Sequence, residues 1–346
     1  VTLSNWATDT ENTFTKMFRK GDMLFGRRRA YLKKAAQAPF DGICSGDITV
    51  IRAKADKLLP DLLPFIIQND DLFDFAVGKS AGSLSPRVKW ENLKNYAFEL
   101  PSMDEQKKLA KVLWSISDTI QAYQKLMVET DELIKSQFIE MFGDPETAIR
   151  TATCTVSEVA EVQVGLVIKP TRFYSNDGTG VPAFRSLNVG PMEICDTDWV
   201  YFTAKGMEAN QRTIAHTGDV LVVRSGYPGT SCVVTPEYAG RNVVDLIIAH
   251  PDTTKVLPEY LCAYTNYPHG KIQIENTQRG VAQKHFNVSL YNSMKINVPP
   301  LSEQQKFIDL LHQGNKSKFA LQSAITSLQA TKRSIIDEAF GVGRKE

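Results

Sequence analysis

The chain has 346 residues, 42% of them hydrophobic and 23% charged, with a net charge of +1. That length and apolar content predict two or more domains with real cores, and the near-neutral balance excludes the overall basic excess of a non-selective nucleic-acid binder. No apolar run reaches the ~18 residues of a membrane span, and the N-terminus lacks a signal-peptide pattern.

In chain order, residues 1–20 alternate only weakly. From 21 to 53, short β-type runs (Met23–Phe25, Ile43, Ile48–Ile51) sit among Gly and Asp turn signals. Leu62, Leu63, Ile66 and Ile67 predict a helix over 60–77. A polar, basic loop over 79–90, a short helix at 90–94 and a strand at 95–100 follow. Residues 103–142 carry the strongest helical pattern, with Leu109, Val112, Leu113, Ile116, Ile120, Tyr123, Met127, Leu133, Ile134, Phe138 and Met141 recurring mostly every three or four positions. Gly143 ends it, and Gly143–Glu146 reads as a turn. Strands are expected at 154–163, 181–185, 198–202, 219–224, 231–235 and 243–249. Pro258–Tyr267 reads as a helix and 277–286 as a loop. Residues 301–340 repeat the long helical pattern.

The chain is duplicated. Pro101-Ser-Met-Asp-Glu105-Gln106 heads the first long helix, and Pro299-Pro-Leu-Ser-Glu303-Gln304 heads the second. The offset is 198 residues at these prolines and again at Phe142 and Phe340. Upstream, Gly21-Asp22-Met-Leu is matched by Gly218-Asp219-Val-Leu, Arg27 by Arg224, and Leu59-Pro-Asp-Leu-Leu by Leu257-Pro-Glu-Tyr-Leu. The fold expected is therefore α+β: two mixed, β-rich domains alternating with two long helices, with pseudo-two-fold internal symmetry. The divisions are 1–100, 101–150, 151–298 and 299–346. A 40-residue helix is a rod of about 60 Å. Such a rod has little core of its own, so the two are expected to pair as an antiparallel, coiled-coil-like couple. Sixty-seven residues (151–217) precede Gly218 in the second copy and only 20 precede Gly21 in the first. The first domain is thus expected to be shortened at its N-terminal side.

Signatures of catalysis are missing. There is no phosphate-binding GxxxxGK[ST] run and no His pair at i, i+4. Asn297-Val-Pro-Pro-Leu301 is similar to an amino-methyltransferase tetrapeptide, but Val298 interrupts it. Phe340-Gly-Val-Gly343 imitates a cofactor loop without a preceding strand. His216, His250, His269 and His312 read as surface or packing residues. The five cysteines (Cys44, Cys154, Cys195, Cys232, Cys262) form no CxxC pair and read as reduced thiols in a cytoplasmic protein. No metal site and no cofactor is expected.

Recognition chemistry remains. Arg reads guanine and Asn or Gln reads adenine, while Lys, Ser and Thr hold phosphates. The loops of the first domain offer Arg27, Arg28, Arg29, Tyr31, Lys33, Lys79, Ser83, Arg87 and Lys89. Those of the second offer Lys169, Arg172, Arg185, Ser186, Asn188, Arg224, Ser225, Tyr227, Gln278, Arg279, Gln283, Lys284 and His285. Each alone is an ordinary solvated residue type; their recurrence at matching places in two copies points to DNA.

With these motifs in order and doubled, the chain resembles the specificity subunit of type I restriction–modification systems over essentially its whole length. Arg185-Ser-Leu-Asn188 and Arg224-Ser-Gly226 add to the likeness. The resemblance implies two target-recognition domains, each reading half of a bipartite DNA target, and two helical regions that set the spacer. It further implies docking of two methyltransferase (M) subunits, a separate restriction (R) subunit, and no catalysis by this chain. The competing expectation is a coiled-coil scaffold that binds only protein. A third is an enzyme whose catalytic part is lost from the N-terminus.

Overall fold

The structure is a computed structural model that describes residues 7–8, 11–82, 84–278 and 286–340. Its chain forms two compact units. One takes the described residues up to Met127 and from Phe319 onward, and the other is Val128–Lys318.

The first unit opens with β1 (Lys16–Phe18), β2 (Met23–Gly26), β3 (Ala35–Gln37), β4 (Gly42–Cys44) and β5 (Ile48–Ile51). Antiparallel pairing gives a three-stranded sheet of order β3-β2-β5 and a separate β1-β4 pair. Helices α1 (Leu63–Ile67) and α2 (Asp70–Gly78), a short pair β6 (Ser80–Ala81) and β7 (Arg87–Val88), and α3 (Trp90–Leu93) lead to α4 (Met103–Phe142). In the second unit come α5 (Pro145–Thr151), β8 (Cys154–Thr155), β9 (Ala160–Val164), β10 (Val181–Ala183), β11 (Val189–Gly190), β12 (Glu193–Ile194) and β13 (Val200–Phe202). Then follow α6 (Ala204–Ala209), β14 (Val220–Val223), β15 (Ser231–Val233), β16 (Leu246–Pro251), α7 (Pro258–Asn266), α8 (Pro268–Gln278), α9 (Val288–Asn292) and β17 (Lys295–Ile296). Its main sheet has the order β15-β14-β16-β9. The last element is α10 (Leu301–Phe340).

Each unit is built on the same plan. In the first, Met23 and Phe25 of β2 and Phe65, Ile66 and Phe73 of the helices meet Ala110 and Leu113 of α4 and Ile336 and Phe340 of α10. In the second, Val220 and Val222 of β14 and Tyr260 and Tyr264 of α7 meet Ile308 and Leu311 of α10 and Phe138 and Phe142 of α4. The start of one long helix thus packs with the end of the other. Within each unit the two run antiparallel, as Lys332 Nζ on Ser117 Oγ (2.9 Å) and Lys318 Nζ on Asp131 Oδ1 (2.5 Å) show. Each rod finds the apolar partner its sequence demands.

Several expected elements are broken for local reasons. The helix expected at 60–77 is a 3₁₀ turn followed by α1 and α2. The restart comes at Asn69, whose side chain caps Asp71 N at 3.0 Å. Residues 95–100 form no strand. Tyr96 and Phe98 alternate because they pack on Phe75 and Phe340, with ring centroids 5.5 and 6.3 Å apart. The run 154–163 is interrupted by a 3₁₀ turn with a Thr155–Glu158 capping box. Asp198 and Asp245 have φ of 54° and 52°, so the strands expected from 198 and 243 start at Val200 and Leu246. Gly143, at φ 91°, ends α4, and Asp144 then caps α5, where only a turn was expected.

Candidate nucleic-acid interface

In the first unit the basic residues converge on one carboxylate. Arg87 Nε donates to Asp47 Oδ1 at 2.8 Å, and Arg27 and Arg28 each approach Asp47 at 3.9 Å. The hydrogen bond from Arg87 holds the Asp47 carboxyl below its usual range. Three guanidiniums on one carboxylate leave a positive excess. Main-chain bonds fix this cluster: Val88 N donates to Arg27 O (3.0 Å) and Arg29 N to Pro86 O (2.8 Å). Arg29 and Lys33 take left-handed φ of 54° and 49° on either side of a tight 3₁₀ turn, which exposes Tyr31. Lys33 pairs with Asp70, to which Arg333 also donates. Beside this turn opens a cleft of about 1110 Å³, lined by Arg28, Arg29, Lys33, Lys34, Phe14 and Phe40 among others. Cations with interleaved aromatics suit a nucleic-acid backbone and its bases. Lys79, over the Phe75 ring at 6.0 Å, and Lys89 are exposed on the same unit.

In the second unit Leu221, Val223, Leu246 and Ile248 are covered by Phe184, Val189 and Ala215. Among their counterparts in the first, Leu24, Gly26, Ile48 and Val50, Leu24 is buried with Phe18, Ala38 and Cys44, Ile48 and Val50 pack partly against that cluster, and Leu24, Gly26 and Ile48 line the cleft.

In the second unit the candidates separate into two kinds. Arg224 is not open to solvent: its side chain is 14% exposed, and Nη1 bonds Asp245 Oδ1 at 2.6 Å. Phe286 N donates to Arg224 O at 3.1 Å. These are the counterparts of Arg27–Asp47 and of the Val88–Arg27 bond, so Arg27 and Arg224 clamp their own loops. Asn188 is fully buried. Its Oδ1 accepts Arg185 N at 2.9 Å and its Nδ2 donates to Thr197 O at 2.6 Å, which occupies both edges of the amide. Arg185 donates to Asp198 O. Ser186, Lys169, Arg172 and Tyr227 are exposed, Tyr227 to 82%, and Ser225 is half-buried. Ser83, Arg279, Gln283, Lys284, His285 and the side chain of Gln278 lie outside the described residues.

Sequence reasoning missed three groups. Asp47 and Asp245, the carboxylates of the arginine clamps, carry no motif of their own. Arg241 packs over Trp199 and Tyr238, at 4.5 and 4.4 Å from their ring centroids, brought together from separate segments. The Gly-Asp motif also proves structural. Asp22 takes Arg19 N at 2.8 Å and both Nε and Nη2 of Arg52 at 2.6 and 2.5 Å. Asp219 takes His216 N and His250 Nδ1, each at 2.6 Å.

Comparison with known proteins follows the same lines. Residues 2–129 match the family model of the type I restriction modification DNA specificity domain. That match spans little more than a third of the chain, which over this stretch is similar to type I restriction–modification specificity domains. The chain is 27% identical over 135 residues to the Escherichia coli type I restriction enzyme EcoDI specificity subunit, a stretch of 38% of this chain. The matched stretch spans 30% of that relative's length. Among solved structures, a chain of a type I R-M system studied for complex assembly and conformational transition shares the fold at a TM-score of 0.61 and 22% identity. That match covers 96% of this chain and 84% of the other. The type I restriction-modification S subunit of M. genitalium gives 0.51 at 13% identity, covering 95% and 84%. These likenesses establish an α+β fold with two long helices for this chain. No described helix is long and apolar enough to cross a membrane.

Proposed function

We propose that this subunit is a cytoplasmic, non-catalytic reader of double-stranded DNA in a type I restriction–modification complex. Its functional parts follow residues 1–100 and 151–298, each reading half of a bipartite target, and the helical regions 101–150 and 299–346. The observation that carries the reading is the duplicated loop frame. The Arg27–Asp47 and Arg224–Asp245 clamps hold matching loops in two units, and those loops present the exposed basic and aromatic residues. A bipartite sequence needs two such readers.

Docking of two methyltransferase subunits, and of a restriction subunit through them, is assigned to the helical regions. Large apolar side chains stand exposed there: Val112, Leu126 and Phe319 in the first unit, Val128 and Leu133 in the second. An apolar helix face open to solvent marks a protein contact. The helices α4 and α10 would set the spacer between half-targets. No cofactor is assigned to this chain.

Methylome sequencing of cells carrying the subunit with its methyltransferase tests the reading. A bipartite adenine motif should vanish when this gene is deleted. An insertion of two helical turns at matching places in 110–135 and 308–333 should lengthen the spacer and leave both half-motifs intact. An unchanged methylome on deletion would leave a protein scaffold as the better description.

A further inference from the structure

The two copies differ at one shared frame in a way that changes its chemistry. In the first unit Asp22 stands between Arg19 and Arg52. At the same three positions the second unit has His216, Asp219 and His250. The scaffold is identical in kind: the Asp oxygen takes the amide of residue 19 or 216, and the other side chain reaches it from the strand edge. Guanidinium has no lone pair to give, whereas neutral imidazole does. Both arginine positions have become histidine, so the second frame is a set of donors and the first is not.

The donors converge. One ring nitrogen of each histidine and a carboxylate oxygen of Asp219 all lie within 4.8 Å of one another. His250 Nδ1 is 2.6 Å from Asp219 Oδ1, and His216 Nδ1 is 3.7 Å from Asp219 Oδ2. Asp219 is buried, while the His216 side chain is 70% exposed and has room to turn. On its far side, His250 Nε2 lies 2.9 Å from the Gln163 amide.

We propose that His216, Asp219 and His250 bind a borderline divalent transition metal of the zinc, cobalt and nickel class, in the second unit alone. Mixed imidazole and carboxylate donors suit these ions. A tetrahedral ion with bonds of about 2.1 Å sets its ligand atoms roughly 3.4 Å apart. The His250–Asp219 contact therefore opens by less than about 1 Å as the ion replaces the shared proton, and the exposed His216 ring closes in. Water takes the fourth position. Gln163, turned so that its oxygen accepts from His250 Nε2, holds the ring as an outer-shell partner. The ion would tie the turn before β14 to β16 and so brace the unit that carries Arg224 and Asp245.

The test uses the full chain, free of any affinity tag and treated with chelator. Zn²⁺ titration by calorimetry should show one saturable site, and Co²⁺ should give visible absorption without a thiolate charge-transfer band. His216→Arg/His250→Arg restores the pair of arginines found in the first unit, so the fold has a working precedent. It should abolish the site and the metal-induced rise in Tm. His216→Gln, which leaves the Asp219–His250 bond, should weaken binding by more than the roughly 10–100-fold typical of outer-shell changes. No saturable Zn²⁺ site in the parent chain, equal binding by both variants, or a thiolate band that places the ion on cysteine would each overturn the proposal.

Discussion

The Gln106 side chain accepts the Leu59 amide at 2.8 Å, 47 residues back along the chain. Its Nε2 donates to Lys57 O and Pro101 O, both at 3.0 Å. Gln304 repeats all three bonds, with Leu257 N at 2.8 Å, Lys255 O at 2.9 Å and Pro299 O at 2.8 Å. Both glutamines are buried. The Pro-x-x-x-Glu-Gln motif is thus a bracket that ties the head of each long helix to the segment entering the short helices of its unit. Gln106→Ala or Gln304→Ala strands several buried polar groups and should cost about 2–4 kcal/mol. Urea unfolding should show similar losses for the two. A loss under about 1 kcal/mol would mean that water replaces the amide.

Arg224 and Asp245 should behave as a clamp. Arg224→Ala and Asp245→Ala should each lower stability, and the double variant should lose less than the sum, with a coupling near 1 kcal/mol. Any relaxed DNA choice in Arg224→Ala should then be shared by Asp245→Ala. If Arg224→Ala alone shifts the preferred base and Asp245→Ala does not, the guanidinium itself reads DNA.

The cleft residues should act through phosphate. Arg28→Ala, Arg29→Ala and Lys33→Ala should each weaken DNA binding on all sequences alike, and each should reduce the salt slope by about 0.9 for the one phosphate no longer neutralised. Fluorescence anisotropy across a salt series reads both. A changed base preference with an unchanged slope would place the side chain at a base edge instead.

His269 sets an acid limit on the second unit. It is fully buried against Phe138, and Nε2 donates to Gly143 O at 2.9 Å. Burial pushes its pKa below the ordinary value. The unfolded chain therefore takes up this proton first. The stability held by the neutral ring is fully present above about pH 6.5 and is lost as pH falls below that toward the folded value. Tm should drop more steeply between about pH 7 and pH 5 for the parent than for His269→Gln, which keeps a donor for Gly143 without a charge. Parallel curves would show that the ring does not govern this window.

Much of the fold was legible because it is periodic or repeated. The long helices 103–142 and 301–340 carry helical spacing over many turns, and the first is capped by Ser102, its neighbour in sequence. Repetition at an offset of 198 in the helices and 197 further upstream exposed the duplicated plan and the matched positions of Arg27 and Arg224. The break at Asn69 and the absent strand at 95–100 were not legible. In both cases the period was right, but a side-chain cap or a stack of rings, rather than a ladder or a continuous helix, used it.

By itself the sequence determined the α+β class, the duplication and the residue types of the candidate DNA-contacting loops, since these depend on composition and spacing along the chain. The tertiary structure decided which of those residues face solvent. Asp47 lies 20 residues from Arg27, Asp245 lies 21 from Arg224, and Asn188 is closed in by Cys195 and Thr197. A guanidinium or an amide looks the same in sequence whether it meets a base or a neighbouring carboxylate. Only strand pairing, by setting β2 beside β5 and β14 beside β16, brings the carboxylate to it.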